Sequence, residues 1–161
     1  MVLGQDILPV LLISKLKMQN CNLKFKNKID LKRAIDFHGH LGPYLVLGLL
    51  MGDLAIKKLE CKKHFGIKVI VKGAFNKPKS CLIDGIQLSA GCTYGKGNIQ
   101  KLASDRIEVL FRNTENNKKI AIRLNDGLIK KLTSLRGHND SEVFAKELSR
   151  LSPTDLFNFR F

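Results

Sequence analysis

The segment that begins at Pro43 constrains the fold of this chain more than any other. Pro43 suits the first turn of a helix, because its φ is fixed and the N–H it lacks would have no partner there. Residues 44–51 are apolar on every face, which is typical of a helix buried on all sides. Asp53 interrupts the run before the roughly 20 apolar residues that a membrane span needs. The sequence therefore predicts a central buried helix from about Gly42 to about Leu59.

Two histidines lie directly before this helix, in the sequence His38-Gly39-His40. Imidazoles at the mouth of a buried helix are candidate metal ligands or acid-base groups. The alternative is that both rings only cap the helix and bond to the backbone. Within the helix, Gly48 and Gly52 share one face, which lets a second element approach the backbone closely.

A second helix start is predicted further along the chain. Pro78 ends the preceding loop, Ser80 is the predicted N-cap, and Cys81 falls in the first turn. There the helix dipole is expected to lower the pKa of the Cys81 thiol. Asp84 follows on the same face. A thiolate beside imidazoles fits a zinc or related metal site or Cys–His catalysis, although a buried cysteine is often just a small apolar residue.

Four motifs in this order resemble the FmdE (FwdE-like) family, which takes its name from one of the subunits of formylmethanofuran dehydrogenase. They are His38-Gly39-His40-Leu41-Gly42-Pro43, the helix with Met51-Gly52, the segment 80–87 and the segment 91–98. The resemblance runs from about Leu31 to about Leu124. It implies an α+β fold of the FwdE/GAPDH-like kind, with a buried central helix packed with other helices on a small mixed sheet. We expect one such domain over residues 21–161, preceded by an N-terminal arm or extension over residues 1–20.

The resemblance also implies a metal, zinc or another divalent transition metal. Carried over residue by residue, its ligands are His38, His40, Cys81 and Cys92. Asp84 or Gln87 would orient them through hydrogen bonds. Many members have a cysteine where this chain has Gly42, and the C-terminal Cys-x-x-Cys pairs of some members have no counterpart here. A metal held by His38, His40 and Cys81 alone would keep an open position, as in catalytic or ligand-binding sites.

By its name, the family implies a role in one-carbon metabolism. The expected function is that of a metal-binding accessory protein or FmdE-like component, related to methanogenesis. Its expected partners are a molybdenum or tungsten formylmethanofuran dehydrogenase and a second copy of the chain in a homodimer. The four cysteines are too few and too irregularly spaced for a disulfide framework, which favours a reducing cytoplasm, and no segment predicts a membrane span.

Two other functions are compatible with the sequence. The first is a thiol enzyme without metal, with Cys81 as nucleophile, His40 as base and Asp84 orienting that base. The second is a basic protein that binds nucleic acid or regulates, suggested by a formal charge of +14. The lysines are spread along the chain without a recognisable binding motif, so nucleic acid is the less favoured partner.

A glycine-rich turn over residues 91–97 offers a third group of candidates. Its Gly95-Lys96-Gly97 sequence lacks the spacing of a phosphate-binding P-loop. We interpret it as a turn that closes the site, in which Thr93 and Lys96 bind a small anionic ligand or cofactor. A plain turn that leaves the Cys81 helix is the alternative.

The remaining segments predict an ordinary α+β frame. Asp30 caps a short helix, residues 67–71 form a strand, and residues 106–112 and 119–124 form an antiparallel hairpin. Asn125 or Asp126 caps a helix to about Leu135. Residues 136–139 break that helix, and Asp140 or Ser141 starts another to about Leu151. His64 and His138 are predicted to be surface residues, and the phenylalanines at 157, 159 and 161 are expected to dock on this domain or on a second copy of it.

Overall fold

The structure, a computed structural model, describes residues 30–161. The predicted N-terminal arm, residues 1–20, and the predicted first residues of the domain, 21–29, lie outside the described residues. Every helix within residues 30–161 is too short or too polar to span a bilayer.

Residues 30–161 form six helices and five strands. The helices are α1 (Leu31–His38), α2 (Pro43–Leu59), α3 (Cys81–Ala90), α4 (Asp126–Ser134), α5 (Gly137–Leu148) and α6 (Pro153–Leu156). The strands are β1 (Ile67–Lys72), β2 (Ile99–Leu102), β3 (Glu108–Asn113), β4 (Lys119–Leu124) and β5 (Phe157–Arg160).

The strands form a single mixed sheet with the order β2-β1-β3-β4-β5. β1 pairs with β2 in parallel, and the other neighbours are antiparallel. One face of the sheet is built from side chains that are almost fully buried, among them Val69, Phe111 and Ile122. The side chains of the other face alternate with them and are half-buried or exposed at most positions. The predicted α+β architecture with a small mixed sheet is confirmed.

Helix α2 forms the core that the sequence predicts. It begins at Pro43 with Gly42 as its N-cap and ends at Leu59. Its side chains are buried on every face in the first three turns, and Leu45, Val46, Leu47 and Met51 show no exposed surface. The short helix α1 also forms as predicted, because Oδ1 of Asp30 accepts a hydrogen bond from the backbone N–H of Arg33 at 3.0 Å.

Helix α3 crosses α2 at glycine, which fixes the position of one helix against the other. A Cβ atom on Gly48 would overlap the carbonyl oxygen of Leu82, and one on Gly85 would overlap the carbonyl oxygen of Leu45. At Gly52 the space is filled by the hydroxyl of Ser89, which donates to the carbonyl oxygen of Gly85 at 2.9 Å. The backbones therefore touch, and the close approach predicted for the Gly48 and Gly52 face is confirmed.

The second half of the chain departs from the sequence predictions in three places. Helix α5 begins at Gly137, not at Asp140 or Ser141. The carboxylate of Asp140 accepts from the backbone N–H of Arg136 at 3.1 Å, so it supports the helix start from inside the first turn. Strands β2 and β5 are not predicted from the sequence. Strand β5 pairs with β4 and so docks Phe157 and Phe159 on the same domain, whereas Phe161 is exposed.

Candidate functional site

The His38-Gly39-His40 motif forms the turn between α1 and α2. Gly39 ends α1 with φ +91, a left-handed conformation that L side chains rarely adopt. This turn lies against the first turn of α3, because the glycine crossing holds α2 and α3 together. The structure therefore brings the histidine motif and the Cys81 helix to one end of the helical layer.

His38 is joined to α3 by a short hydrogen bond. Its Nδ1 lies 2.7 Å from Oδ2 of Asp84, and Nε2 of Gln87 donates to Oδ1 of the same carboxylate at 3.4 Å. The His38 side chain is 9% exposed. Its Nε2 is buried and has no hydrogen-bond partner among residues 30–161. An ionised carboxylate can only accept, so Nδ1 carries a proton and Nε2 of a neutral ring offers a lone pair.

His40 and His138 extend this group toward solvent. The ring centroids of His38 and His40 are 4.6 Å apart, and those of His40 and His138 are 5.7 Å apart. Burial lowers the pKa of His40, and the neighbouring His38, His138 and Lys77 lower it further. The neutral imidazole of His40, which is the form that binds metals, is therefore favoured to a more acidic pH than in a free histidine.

Cys81 is half-buried at the start of α3, in the position predicted. The pKa of its thiol, however, shifts in the direction opposite to the prediction. Burial raises the pKa of the Cys81 thiol, and the negative charge of Asp84 raises it further. The predicted lowering by the helix N-terminus is therefore wrong for the protein without a bound metal. The predicted cap also differs, because Ser80 already has helical φ and ψ and its side chain makes no capping bond.

A cleft of about 220 Å³ opens at this end of the molecule. Its walls come from the histidine turn, the start of α2, the start of α3 and the facing helices α4 and α5. The side chains with chemical functions are His40, Tyr44, Cys81, His138 and Ser141, and the rest of the lining is Leu41, Gly42, Pro43, Pro78, Leu132, Leu135 and Gly137. Burial raises the pKa of Tyr44, so its hydroxyl stays protonated at neutral pH.

Cys92, Thr93 and Lys96 lie at the other end of α3 and do not line this cleft. Ten residues of helix, about 15 Å, separate the start of α3 from its end. Cys92 is fully buried, with Sγ 3.5 Å from the carbonyl oxygen of Ile67. Oγ1 of Thr93 accepts from the backbone N–H of Lys96 at 3.2 Å, and the ammonium of Lys96 lies 5.8 Å from the ring centre of Phe65.

The donor set suits a divalent transition metal, although it is not gathered into a finished site. Two imidazoles, a thiol and a carboxylate bonded to one imidazole are the groups found around zinc. The buried lone pair of His38 Nε2 also fits this purpose. Within residues 30–161, however, no three His, Cys, Asp or Glu side chains stand at the mutual spacing of a metal site. Loading a metal would therefore require rotation of at least one of these side chains.

Sequence reasoning missed His138 and Tyr44 as members of the cleft. His138 is exposed, as predicted, but its ring faces His40 across the cleft. It comes from the first turn of α5, which the sequence analysis placed in a helix break. The Arg136–Asp140 interaction was the local pattern that could have located this helix start.

Residues 37–155 match the model of the family described as FmdE, molybdenum formylmethanofuran dehydrogenase operon. A probable S-adenosyl-L-methionine-binding protein from Archaeoglobus fulgidus is 34% identical over 73 residues. That segment covers 43% of this chain and 19% of the archaeal protein, so most of that relative has no counterpart in the match.

The fold is similar to that of a solved protein from Syntrophus aciditrophicus, described as a tungsten formylmethanofuran dehydrogenase FmdE-like protein. The TM-score is 0.60, and the match covers 81% of this chain and 68% of the other. At 22% sequence identity, this likeness supports the shared fold.

Proposed function

Because the chain belongs to the FmdE family, we propose that its histidine cleft binds a divalent transition metal, with zinc as the first candidate. The proposed ligands are His40 and Cys81 from the cleft lining and His38, whose ring lies beside His40. His138, whose ring faces His40, is a further candidate. The observation that carries the proposal is the orientation of His38. Asp84 holds one ring nitrogen, and the other is buried without a partner in residues 30–161. A carboxylate that fixes the tautomer and orientation of a histidine is typical of metal ligands.

The pKa shifts of His40 and Cys81 have opposite effects on metal binding. The lowered pKa of His40 keeps that imidazole neutral and ready to bind. The raised pKa of Cys81 means that the thiol must lose a proton when it binds a metal. Metal affinity is therefore expected to rise with pH across the neutral range.

A metal with three protein ligands would keep a coordination position for a ligand, and would supply Lewis-acid chemistry there. The protein would position that ligand in the cleft, beside the hydroxyls of Tyr44 and Ser141. The family description places related proteins with formylmethanofuran dehydrogenase. We therefore propose that the protein is an accessory or FmdE-like component of that one-carbon chemistry.

Elemental analysis of the full chain, purified without a histidine tag, tests the metal site. We expect near-stoichiometric metal in the wild type, and loss of most of it in His38→Ala and Cys81→Ala. His64→Ala is the matched control, because His64 lies outside the cleft and should leave the metal content unchanged. A folded wild type that takes up no metal, even after incubation with zinc, would overturn the proposal. In that case Cys81 would be tested as a nucleophile.

A further inference from the structure

The open face of the sheet carries a row of three positive charges on three adjacent strands. Lys68 of β1 is paired in register with Arg112 of β3, and Arg112 with Lys119 of β4. Like charges directly opposite one another on neighbouring strands repel. Within residues 30–161, none of these three side chains forms an ion pair. We call Lys68, Arg112 and Lys119 the basic row.

The same face shows how this sheet neutralises charge elsewhere. A second row lies four residues from the basic row, where the strand register aligns Lys72, Glu108 and Arg123. Glu108 is the central residue of this row, and its carboxylate bonds to Arg123 and lies 3.4 Å from the ammonium of Lys72. Arg160 of β5 approaches the same carboxylate at 3.7 Å. The central position is thus acidic in one row and basic in the other.

The basic row borders a cavity of about 310 Å³ that no acidic side chain lines. Its apolar part comes from Ile70 and Leu110, which are half-buried and belong to the next row of the face. Gln100 adds an amide, and Gly97 forms part of the rim. Neighbouring strands lie about 4.8 Å apart, so the three cations span about 10 Å. A volume of this size holds a small molecule.

From this arrangement we propose that the open face binds a small ligand with at least two oxyanion groups, such as a diphosphate. Arg112 would bind the oxyanions with its planar guanidinium, and Lys68 and Lys119 would approach from the two sides. Apolar parts of the ligand would rest on Ile70 and Leu110. The proposal concerns a site separate from the histidine cleft and does not depend on metal binding there.

Two other occupants of this face have less support. A second copy of the chain would bring the same basic row, in a protein of formal charge +14, against a positively charged surface. Residues 1–29 contain five lysines and a single acidic residue, Asp6. That segment therefore adds positive charge and cannot neutralise the row. A small polyanion satisfies both the charge and the volume of the cavity.

The test is isothermal titration calorimetry, which measures the dissociation constant of the full chain for inorganic pyrophosphate at low and at high salt. We expect binding that weakens as salt rises. Arg112→Glu should weaken it by roughly tenfold or more, because a charge-assisted hydrogen-bond donor is replaced by a repelling group. Lys130→Glu on the exposed side of α4 makes the same change of charge away from the cavity, and should retain the binding.

The same variant gives a second readout in the opposite direction. Arg112→Glu places an acidic residue between Lys68 and Lys119, as Glu108 stands between Lys72 and Arg123, so its thermal midpoint should rise by a few degrees. If stability rises while pyrophosphate binding is unchanged, the row is only a solvated surface and the proposal fails. If Arg112→Glu does not fold, Lys68→Gln and Lys119→Gln test the same loss of affinity.

Two further titrations, with ADP and with single-stranded RNA, distinguish the possible ligands. Tighter binding of ADP than of pyrophosphate would support an organic diphosphate that uses the apolar part of the cavity. Equal affinities would support a free inorganic polyanion. Binding of long single-stranded RNA without any binding of pyrophosphate or ADP would overturn the small-ligand proposal in favour of a nucleic-acid surface.

Discussion

The two ends of helix α3 carry a cysteine each, and the two thiols have different surroundings. Cys81 lies at the start of the helix, half-buried in a cleft with Asp84 and the histidine turn nearby. Cys92 lies just past the other end, fully buried, and burial raises the pKa of its thiol to about 12. One helix therefore presents one thiol to ligands in the cleft and encloses the other in the core. The environment that tertiary packing provides, and not the residue type, separates a candidate ligand from a packing residue.

The largest expected effect breaks the helix crossing that positions the cleft end of α3. A Cβ on Gly48 or Gly85 would overlap a backbone carbonyl oxygen, which cannot rotate away. We expect Gly48→Ala and Gly85→Ala each to lower the free energy of unfolding by about 3 kcal/mol or more. Gly95→Ala is the control, since a Cβ there meets nothing within 4 Å. Urea denaturation would measure all three, and equal stabilities would show that the helices can shift apart at little cost.

The next effect contrasts the two cysteines directly. Cys92→Ser buries a hydroxyl in the core and should cost about 1 to 3 kcal/mol of stability, whereas Cys81→Ser should cost less than about 1 kcal/mol. Iodoacetamide labelling of the folded protein after chelation of any bound metal, followed by peptide mass spectrometry, should modify Cys81, and should modify Cys92 only after unfolding. Equal labelling of the two in the native state would contradict the structure at the Cys92 end.

A smaller effect sharpens the account of the cleft end. Asp84→Asn removes the carboxylate that holds Nδ1 of His38, and should weaken zinc binding by about 10- to 100-fold without abolishing it. Competition with a chromophoric chelator would measure the affinity. Asp105→Asn, an exposed carboxylate in the loop before β3, controls for the loss of one negative charge. If the two variants bind zinc equally, Asp84 is not a positioning residue for the metal.

The smallest effect concerns pH. The folded-state pKa of His40 lies below its ordinary value of 6.5. The unfolded chain therefore takes up the proton first as pH falls, and stability should fall below about that pH. Cys81 acts on the alkaline side, because its pKa is raised above its ordinary value of 9.0 and stability should fall as pH rises past it. Urea titrations of the metal-free protein across pH should show a smaller acid decline in His40→Gln than in the wild type.

Much of the fold could be predicted because local chemistry and tertiary packing agree. Pro43 and the apolar run after it predict α2, and Asp30 and Asn125 cap α1 and α4 as predicted. The alternation in residues 106–124 predicts the β3–β4 hairpin. Strand β2 was missed because it is short and mostly exposed. Strand β5 was missed because its pairing depends on β4, far away in the chain.

The candidate site could be predicted only in part. The two helices that carry the glycines could be predicted from the sequence. The contact between His38 and Asp84 could not, because it depends on how those helices cross. His138 joins the cleft because α5 packs against α2. Asp140 could have indicated where α5 begins, but no local pattern indicates this packing. The predicted lowering of the Cys81 pKa was wrong because burial and the charge of Asp84, which raise it, outweigh the helix dipole.

The layered arrangement around α2 has a consequence for how ligands would influence one another. The cleft is lined by helices, including the start of α2, and by their connections, whereas the basic row stands on strands of the sheet against which α2 packs. The two groups share no residue. We therefore expect their binding free energies to add, with a coupling free energy near zero. Protein loaded with zinc and freed of unbound zinc, which would itself complex pyrophosphate, should show the same dissociation constant for pyrophosphate as metal-free protein. One small domain would then bind two ligands independently.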